Sequence, residues 1–248
     1  MEILQLKNVS LTYQMRSEET VAVENVSFEV KEGEFVAIVG PSGCGKTSVL
    51  SLAGGLIKPS SGQIMLDGKP VEANAKIGYM LQHDTLFEWR TIEKNVMLGL
   101  EVQKNHDTYA KNYAHELLKK YGLYEFKKHY PSQLSGGMRQ RAALIRTLAI
   151  RPRLLLLDEA FSALDFQTRM EVCDDVHSII KSEGKTALLV THDISEAISL
   201  ADRIIVLTKR PAKIKNIYTI DLDGKTPFKR RENKDFSIWF DKIWRDIS

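Results

Sequence analysis

The 248-residue sequence has little cysteine, little net charge and no long apolar run. Its two cysteines, Cys44 and Cys173, lack the spacing of metal ligands, which argues against a disulfide framework and favours a reducing compartment. A net charge of +3 is too small to indicate a nucleic-acid partner. No run approaches the roughly 20 apolar residues of a membrane helix, and Met1–Leu4 do not open a signal peptide. We therefore expect a soluble cytoplasmic protein that acts on a membrane only through another chain.

The apolar runs that do occur predict a layered α/β protein. Hydrophobic residues make up 43% of the chain, enough for a substantial core, although length alone permits one large domain or two small ones. Runs at 35–39, 154–157 and 186–190 have the character of buried parallel strands. Loose alternation between residues 3 and 30 predicts an antiparallel sheet, and residues 91–121 have a helical pattern. Strand and helix alternate, so we expect a mostly parallel sheet covered on both faces.

One stretch, Gly40–Thr47, has the sequence of a phosphate-binding loop. It reads Gly-Pro-Ser-Gly-Cys-Gly-Lys-Thr between a predicted strand and a predicted helix, which is the context this motif requires. Its glycines let backbone N–H groups approach phosphate oxygens, and the helix adds its positive end. We expect Lys46 to reach the outer phosphates and Thr47 to bind Mg²⁺, while Ser48 continues the helix. An ordinary glycine-rich turn is the alternative for the bare pattern.

Two more segments carry groups that suit a nucleotide. Ser135, Gly136 and Gly137 open a predicted helix, and such a helix start favours anions. Asp158 and Glu159 follow four leucines at the end of a predicted buried strand. One carboxylate can hold Mg²⁺ there while its neighbour polarises a water molecule. Two solvated acids are the alternative, but that does not explain why an apolar strand delivers them beside a phosphate loop.

The last forty residues differ in composition from the rest. Residues 209–231 contain eight basic and two acidic residues, which we interpret as a solvated face rather than a contact with anionic lipid. The following segment predicts a helix with an apolar stripe. The stripe comprises Phe236, Trp239, Phe240, Ile243, Trp244 and Ile247. We expect it to pack on the chain's own body, with a partner or a bilayer surface as the alternative.

Six motifs in one order make the chain resemble the nucleotide-binding subunit of ATP-binding cassette (ABC) transporters. They are Gly40–Ser48, Gln82, Leu134–Gln140, Asp158–Glu159, Ser162–Asp165 and His192. The resemblance covers about residues 1–210 and implies a P-loop NTPase core with a mostly parallel sheet, an N-terminal antiparallel β subdomain and an inserted α-helical subdomain. It implies one ABC ATP-binding domain over 1–248. Its parts are a RecA-like core at about 1–90 and 150–210, a helical subdomain at about 91–150 and a C-terminal extension at about 211–248.

The resemblance also implies the ligands, ATP and Mg²⁺, and a role for each matching residue. Tyr13, which alone would be interpreted as a packed edge aromatic, would stack on adenine. Mg²⁺ would be bound by Thr47, Gln82 and Asp158. Glu159 would be the general base, with His192, Gln82 and Lys46 as further catalytic residues. The phosphates would be held by Gly40, Pro41, Ser42, Gly43, Cys44, Gly45, Lys46, Thr47 and Ser48.

The partners implied are a second copy of the chain, integral membrane permease subunits and a solute-binding protein that acts through the permease. Ser135, Gly136, Gly137 and Asp165 would complete the ATP site of the second copy across a head-to-tail dimer. The protein would lie at the cytoplasmic face of the cell membrane, with no nucleic-acid partner.

Within the family, Leu207–Ile214 and Leu134–Arg141 are similar to the nitrate, sulfonate and taurine importer group, which implies import of such an anion. That group tends to carry Leu-Pro-Trp-Leu-Thr where this chain has Phe87–Thr91, Phe-Glu-Trp-Arg-Thr. Because this loop is expected to touch the membrane subunit, Glu88 and Arg90 leave the solute open, with thiamine-precursor-like or other small solutes as alternatives.

Two other functions share the same motifs. One is a soluble cassette ATPase of the assembly or scaffold type, and the other is the ATPase subunit of an exporter or lipoprotein-release system. A DNA-repair cassette would need a long coiled coil or zinc cysteines between the motifs, and neither occurs in the sequence.

Overall fold

Two β-sheets and a set of helices form the chain in the computed structural model, which describes residues 1–14, 19–72, 76–104, 107–224 and 226–248. The described strands are β1 (Glu2–Gln14), β2 (Glu19–Lys31), β3 (Phe35–Val39), β4 (Ser61–Leu66), β5 (Lys69–Pro70), β6 (Ile77–Met80), β7 (Leu154–Asp158), β8 (Thr186–Val190), β9 (Arg203–Leu207) and β10 (Ile214–Thr219). The described helices are α1 (Lys46–Ala53), α2 (Ile92–Val96), α3 (Leu98–Val102), α4 (Thr108–Lys120), α5 (Gly136–Ala149), α6 (Phe166–Ser182), α7 (Ile194–Leu200), α8 (Pro227–Arg231) and α9 (Phe236–Ile247). Among the described residues, no helix has the length and apolar character that a bilayer crossing demands.

The N-terminal part of the chain forms an antiparallel sheet in the order β2-β1-β4-β5. Strand β1 pairs with β2 along its length, from Glu2 opposite Lys31 to Gln14 opposite Glu19. Its other edge pairs with β4. The antiparallel region that the alternating pattern predicts is therefore confirmed.

The second sheet is mostly parallel and has the order β10-β9-β3-β8-β7-β6. Strands β9, β3, β8, β7 and β6 pair in parallel, and β10 adds an antiparallel edge. Every residue of β3, β7 and β8 is buried, as their continuous apolar runs require. Because parallel strands share one carboxyl edge, the segments after β3, β7 and β8 meet there. The predicted α/β core is confirmed.

Helices α2 to α5 form the helical region. Its last helix, α5, packs in the main core against α6 and the central sheet. The described part of residues 91–150 contains no strand, as the sequence predicts, while Asn105 and His106 of the predicted polar break lie outside the described residues. Glu183, directly after α6, accepts hydrogen bonds from Tyr113 (2.9 Å), Tyr121 (2.7 Å) and Lys120 (2.6 Å). These bonds join α4 and the residue after it to the end of α6. The division of the chain into subdomains at the residues given above stays a prediction.

The C-terminal helix packs on the body of the protein. Ile243 is fully buried, and Phe236, Trp239, Phe240 and Ile247 pack against the main core. Trp244 is 56% exposed and stacks on Phe240 with ring centroids 6.2 Å apart. The expectation that the stripe packs on the chain itself is confirmed.

The basic stretch before that helix is not simply a solvated face. It contains β10 and α8, and the Arg230 guanidinium donates to the carbonyl oxygens of Ala201 (2.9 Å) and Ser199 (3.4 Å). The Arg230 side chain is only 13% exposed and lies 3.7 Å from Asp202. The sequence interpretation is wrong for this residue because tertiary carbonyl and carboxylate partners compensate for removing its charge from water.

Candidate nucleotide site

The loop between β3 and α1 has the backbone form that a phosphate cradle needs. Gly43 and Gly45 have φ angles of 69° and 122°, in a region that favours glycine. A Cβ at Gly45 would also lie 2.8 Å from the Ala22 carbonyl oxygen. Lys46 is buried, and its Nζ donates to the carbonyl oxygens of Gly40 (2.9 Å) and Pro41 (3.0 Å). The lysine therefore spans the loop from which it projects.

A buried carboxylate lies beside the loop, at the end of β7. Asp158 accepts hydrogen bonds from the hydroxyl groups of Thr47 and Tyr79, each at 3.2 Å. Burial raises the pKa of Asp158, while both hydroxyl donors act in the opposite direction. Burial also raises the pKa of Tyr79, and the Asp158 charge adds to this, so the phenol keeps the proton it donates. Thr47 and Asp158 are 111 residues apart in the sequence and meet at this edge of the sheet.

The next residue, Glu159, turns towards the end of β8. Its φ of 46° is unusual for a residue other than glycine, and its N–H donates to the Val190 carbonyl oxygen at 2.8 Å. Glu159 Oε2 lies 3.1 Å from His192 Nδ1. Ser162 donates from its hydroxyl to the Glu159 carbonyl oxygen (2.9 Å) and accepts from Gln82 Nε2 (3.1 Å). Glu159 and His192 are thus in contact, and Gln82 is joined to Glu159 through Ser162, while the catalytic roles that the resemblance implies for them stay predictions.

The segment that carries His192 is held by hydrogen bonds to the buried residue Glu196 and to Asp193. The Thr191 hydroxyl donates to Glu196 Oε2 at 2.7 Å and accepts from the Asp193 N–H at 3.0 Å. Asp193 in turn caps α7 by accepting from the Glu196 N–H at 3.1 Å. Burial raises the pKa of Glu196 to about 7, against the lowering by the Thr191 bond. The sequence interpretation did not include Glu196 or Tyr79.

These elements enclose an open cleft of about 520 Å³. Its lining residues are Ser42, Gly43, Gly45, Lys46, Thr47, Ser48, Glu159, His192 and Arg210. Arg210 is a lining residue that the sequence interpretation missed, although the segment Leu207–Ile214 was singled out. Its position three residues after an apolar run is a usable signal, because that run proves to be β9, the neighbour of β3. Tyr13 stands near the cleft, with its hydroxyl 3.1 Å from Ser48 Oγ and the residue 41% exposed.

Four predicted residues form a separate surface. Ser135, Gly136, Gly137 and Asp165, which we call the signature surface, do not line the cleft. Ser135 caps α5 by accepting from the Met138 N–H at 3.3 Å, and the two glycines form the first turn of that helix. Asp165 caps α6 by accepting from the Thr168 N–H at 3.0 Å, and its hydrogen bonds with Thr168 lower its pKa. Within one chain the structure therefore does not bring these residues to the phosphate loop.

The oxygen donors beside the loop fit Mg²⁺. The Thr47 hydroxyl and the Asp158 carboxylate are the hard oxygen ligands that this ion prefers, while the Gln82 amide is bonded to Ser162. In the described parts of the chain, no group of three or more His, Cys, Asp and Glu side chains could hold a metal ion.

Comparison with known sequences relates the chain to ATP-binding proteins of transporters. A family model described as ABC transporter matches residues 23–162. The uncharacterized ABC transporter ATP-binding protein YtlC of Bacillus subtilis is 46% identical over 100% of the chain and 96% of its own length. The nitrate import ATP-binding protein NrtD of Synechocystis is 37% identical over 97% of the chain and 93% of its own length. The aliphatic sulfonates import ATP-binding protein SsuB of Bacillus cereus is 36% identical, covering 93% and 89%. The choline transport ATP-binding protein OpuBA of Bacillus subtilis is 42% identical over 83% of the chain and 55% of its own length.

A solved structure has the same fold. The dimeric post-hydrolysis state of the ATP-binding cassette MJ0796, bound to ADP and Pi, matches with a TM-score of 0.74 and 35% identity. The match covers 88% of the chain and 99% of that protein. The chain therefore belongs to the ABC transporter family, as an ATP-binding subunit whose hydrolysis of ATP drives transport.

Proposed function

We propose that two copies of the chain associate head to tail and hold two ATP molecules between them. The observation that carries this proposal is the separation of the cleft from the signature surface. Transfer of a phosphoryl group needs charge stabilisation on all sides of the γ-phosphate, and one loop covers only one side. In the proposed dimer, Ser135 and Gly137 of each copy face the ATP held by the loop of the other, and Asp165 crosses the same interface. The dimeric state of the related cassette MJ0796 supports the association of two copies.

Within each site, the chain's own groups have distinct roles in the proposal. Lys46 leaves its loop carbonyl partners and binds the outer phosphates of ATP. Mg²⁺, held by Thr47 and Asp158, would neutralise charge on the phosphate oxygens. Glu159 takes the proton of the attacking water, and His192, 3.1 Å from it, hydrogen-bonds the γ-phosphate. Gln82 lies near Mg²⁺ and the attacking water, so that hydrolysis changes the position of the loop that follows it.

In the proposal, transport is driven by the different affinities of ATP for the closed and open states of the dimer. ATP binds the closed dimer more tightly than the open one, so binding closes the dimer and hydrolysis releases it. The proposed contact with the permease is the exposed loop after Gln82, where Trp89 is 74% exposed and stacks on Phe87 at 4.8 Å. Arg90 is held there by Glu101 at 2.8 Å. The proposed location is therefore the cytoplasmic face of the membrane, on integral permease subunits.

For the solute we propose a small anion of the sulfonate, taurine or nitrate class, imported with the help of a solute-binding protein. The support is the likeness to NrtD and SsuB over most of both chains. The likeness to a choline transport protein makes a cationic solute the competing proposal. Permease subunits recovered in mild detergent decide between them: ATPase activity stimulated by a sulfonate or nitrate supports the anion, and stimulation only by choline or an amino acid refutes it. Recovery with soluble chains alone would favour an assembly ATPase.

The dimer is tested with Glu159→Gln. We expect this variant to bind ATP, to hydrolyse it about 100-fold or more slowly, and to run as a dimer with ATP in analytical ultracentrifugation. The wild-type chain should be monomeric in ADP, which serves as the control. A monomer that hydrolyses ATP at the wild-type rate, or a Glu159→Gln protein with unchanged activity, would contradict the proposal.

A further inference from the structure

The segment that carries Arg210 is a closed loop with fixed ends. Thr208 donates from its hydroxyl to the Pro211 carbonyl oxygen at 3.0 Å and accepts from the Lys213 N–H at 3.0 Å. The Thr208 N–H also donates to the Lys213 carbonyl oxygen at 2.9 Å. The loop is therefore held across its base at the junction of β9 and β10.

The same loop is attached to the backbone next to the phosphate loop. The Ala212 N–H donates to the Ala22 carbonyl oxygen (2.9 Å), and the Glu24 N–H donates to the Ala212 carbonyl oxygen (3.0 Å). A Cβ added to Gly45 would meet the same two residues, at 2.8 Å from Ala22 O and 3.2 Å from Ala212 Cβ. A Cβ on Gly40 would lie 3.0 Å from the carbonyl oxygen of Leu207, where β9 ends. The loop at 208–213 therefore lies close to Gly45, and the end of β9 before it lies close to Gly40, at the start of the phosphate loop.

This attachment places an uncommitted positive charge in the cleft. Arg210 is exposed and lines the cleft, and no hydrogen bond or ion pair engages its side chain among the described residues. Lys213 in the same loop is instead paired with Glu24 at 2.9 Å. Burial raises the pKa of the Cys44 thiol on the phosphate loop, while the charges of Lys46 and Arg210 act to lower it. The charge of Arg210 therefore reaches the loop.

We propose that Arg210 is a further nucleotide-binding residue, whose guanidinium contacts the outer phosphates of ATP. The proposal rests on the function proposed above. A guanidinium forms two parallel hydrogen bonds to phosphate oxygens, and Arg210 shares the cleft with Ser42, Gly43 and Lys46 of the phosphate cradle. The lining contains two cations, Lys46 and Arg210, and one carboxylate, Glu159. Because Glu159 offsets the charge of Lys46, Arg210 gives the lining the net positive charge that favours a polyphosphate.

The test compares Arg210→Ala with Lys209→Ala. The second variant also removes one positive charge, but from the neighbouring residue, whose side chain does not line the cleft. Affinities for ATP, ADP and AMP are measured without Mg²⁺ on monomeric protein, so that neither hydrolysis nor dimerisation contributes. We expect Arg210→Ala to weaken ATP binding about tenfold, ADP binding less and AMP binding not at all. Arg210→Lys should recover part of the loss, and Lys209→Ala should stay within about twofold of wild type.

Three results would overturn the inference: equal losses for AMP and ATP, an equal loss in Lys209→Ala, or unchanged affinities in Arg210→Ala. Unchanged monomer affinities together with loss of the ATP-bound dimer in an Arg210→Ala, Glu159→Gln protein would assign Arg210 to the partner chain instead. Thermal unfolding of each variant checks that it is folded. Because Lys46→Ala tests the phosphate loop separately, failure at Arg210 alone leaves the proposed function standing.

Discussion

The phosphate cleft and the signature surface both lie at helix starts, yet they differ in the groups around them. In the cleft, α1 begins beside a buried lysine, two carboxylates and a histidine that come from three strand ends. On the signature surface, Ser135 and Asp165 are used as caps of α5 and α6. Two similar helix starts therefore have different uses. In the proposed dimer, the first holds the phosphates of one ATP, whereas the second presents helix N–H groups to the ATP of the partner copy.

The largest effect should come from the cleft side. Lys46→Ala removes the cation that the loop surrounds, and we expect ATP affinity to fall about 100-fold or more. Titration with a fluorescent ATP analogue measures it. Lys58→Ala, an exposed lysine beyond α1, is the control. Tight ATP binding by a folded Lys46→Ala protein would mean that the loop is not the phosphate site.

On the signature side, Ser135→Asp keeps a good helix cap and adds a negative charge towards the expected phosphate of the partner. We expect ATP binding by the monomer to be unchanged, while the ATP-bound dimer of a Glu159→Gln background weakens about 30-fold or more. Sedimentation equilibrium measures the dimer. Ser135→Asn, which caps equally well without charge, should weaken the dimer less. Equal dimer strength in both variants would place this surface outside the interface.

The segment of His192 gives a prediction on pH. A folded-state pKa of about 7 for Glu196, above its usual value of 4.5, means that its contribution to stability is fully present below pH 4.5 and is lost as pH rises from there to 7. Glu196→Gln removes this titration and keeps an acceptor for Thr191. We expect the variant to gain on the order of 2 kcal/mol relative to wild type between pH 5 and pH 8.

Urea unfolding at the two pH values measures this difference. Glu116→Gln, at an exposed position of α4, is the matched control and should show no such gain. A Glu196→Gln protein whose stability relative to wild type does not change with pH would show that the buried carboxyl does not titrate in this range.

The smallest effect is expected at the edge of the cleft. Tyr13→Ala should weaken ATP, ADP and AMP binding by a similar factor of about five to ten, because a base stacks on the ring whatever the phosphate count. Tyr13→Phe keeps the ring, loses the bond to Ser48, and should resemble wild type. Losses that grow with the number of phosphates would instead assign Tyr13 to the phosphate end.

The parts of the fold that were predictable carry their own signal. The strands β3, β7 and β8 are continuous apolar runs, and α5 begins at a serine that caps it. Strand β10 has no such signal, because its residues are mostly exposed and its pairing with β9 alone makes it a strand. A pattern within ten residues does not contain that pairing.

The same limit applies to the site. The motifs identify Thr47, Asp158, Glu159 and His192, but their contacts depend on the sheet order, in which β8 lies between β3 and β7. Arg210 and Glu196 were missed because neither belongs to a local phosphate or hydrolase pattern. Their relevance follows from β9 lying beside β3 and from the burial of α7.

The three hydrogen bonds at Glu183 limit how far α4 can move relative to α6. They attach α4 and Tyr121, the residue directly after it, to the end of α6, whose first residues follow Asp165. Swinging the helical region about the central sheet must trade these donors for water. The Glu183 carboxylate is therefore one point at which three hydrogen bonds resist movement of α4 relative to the end of α6.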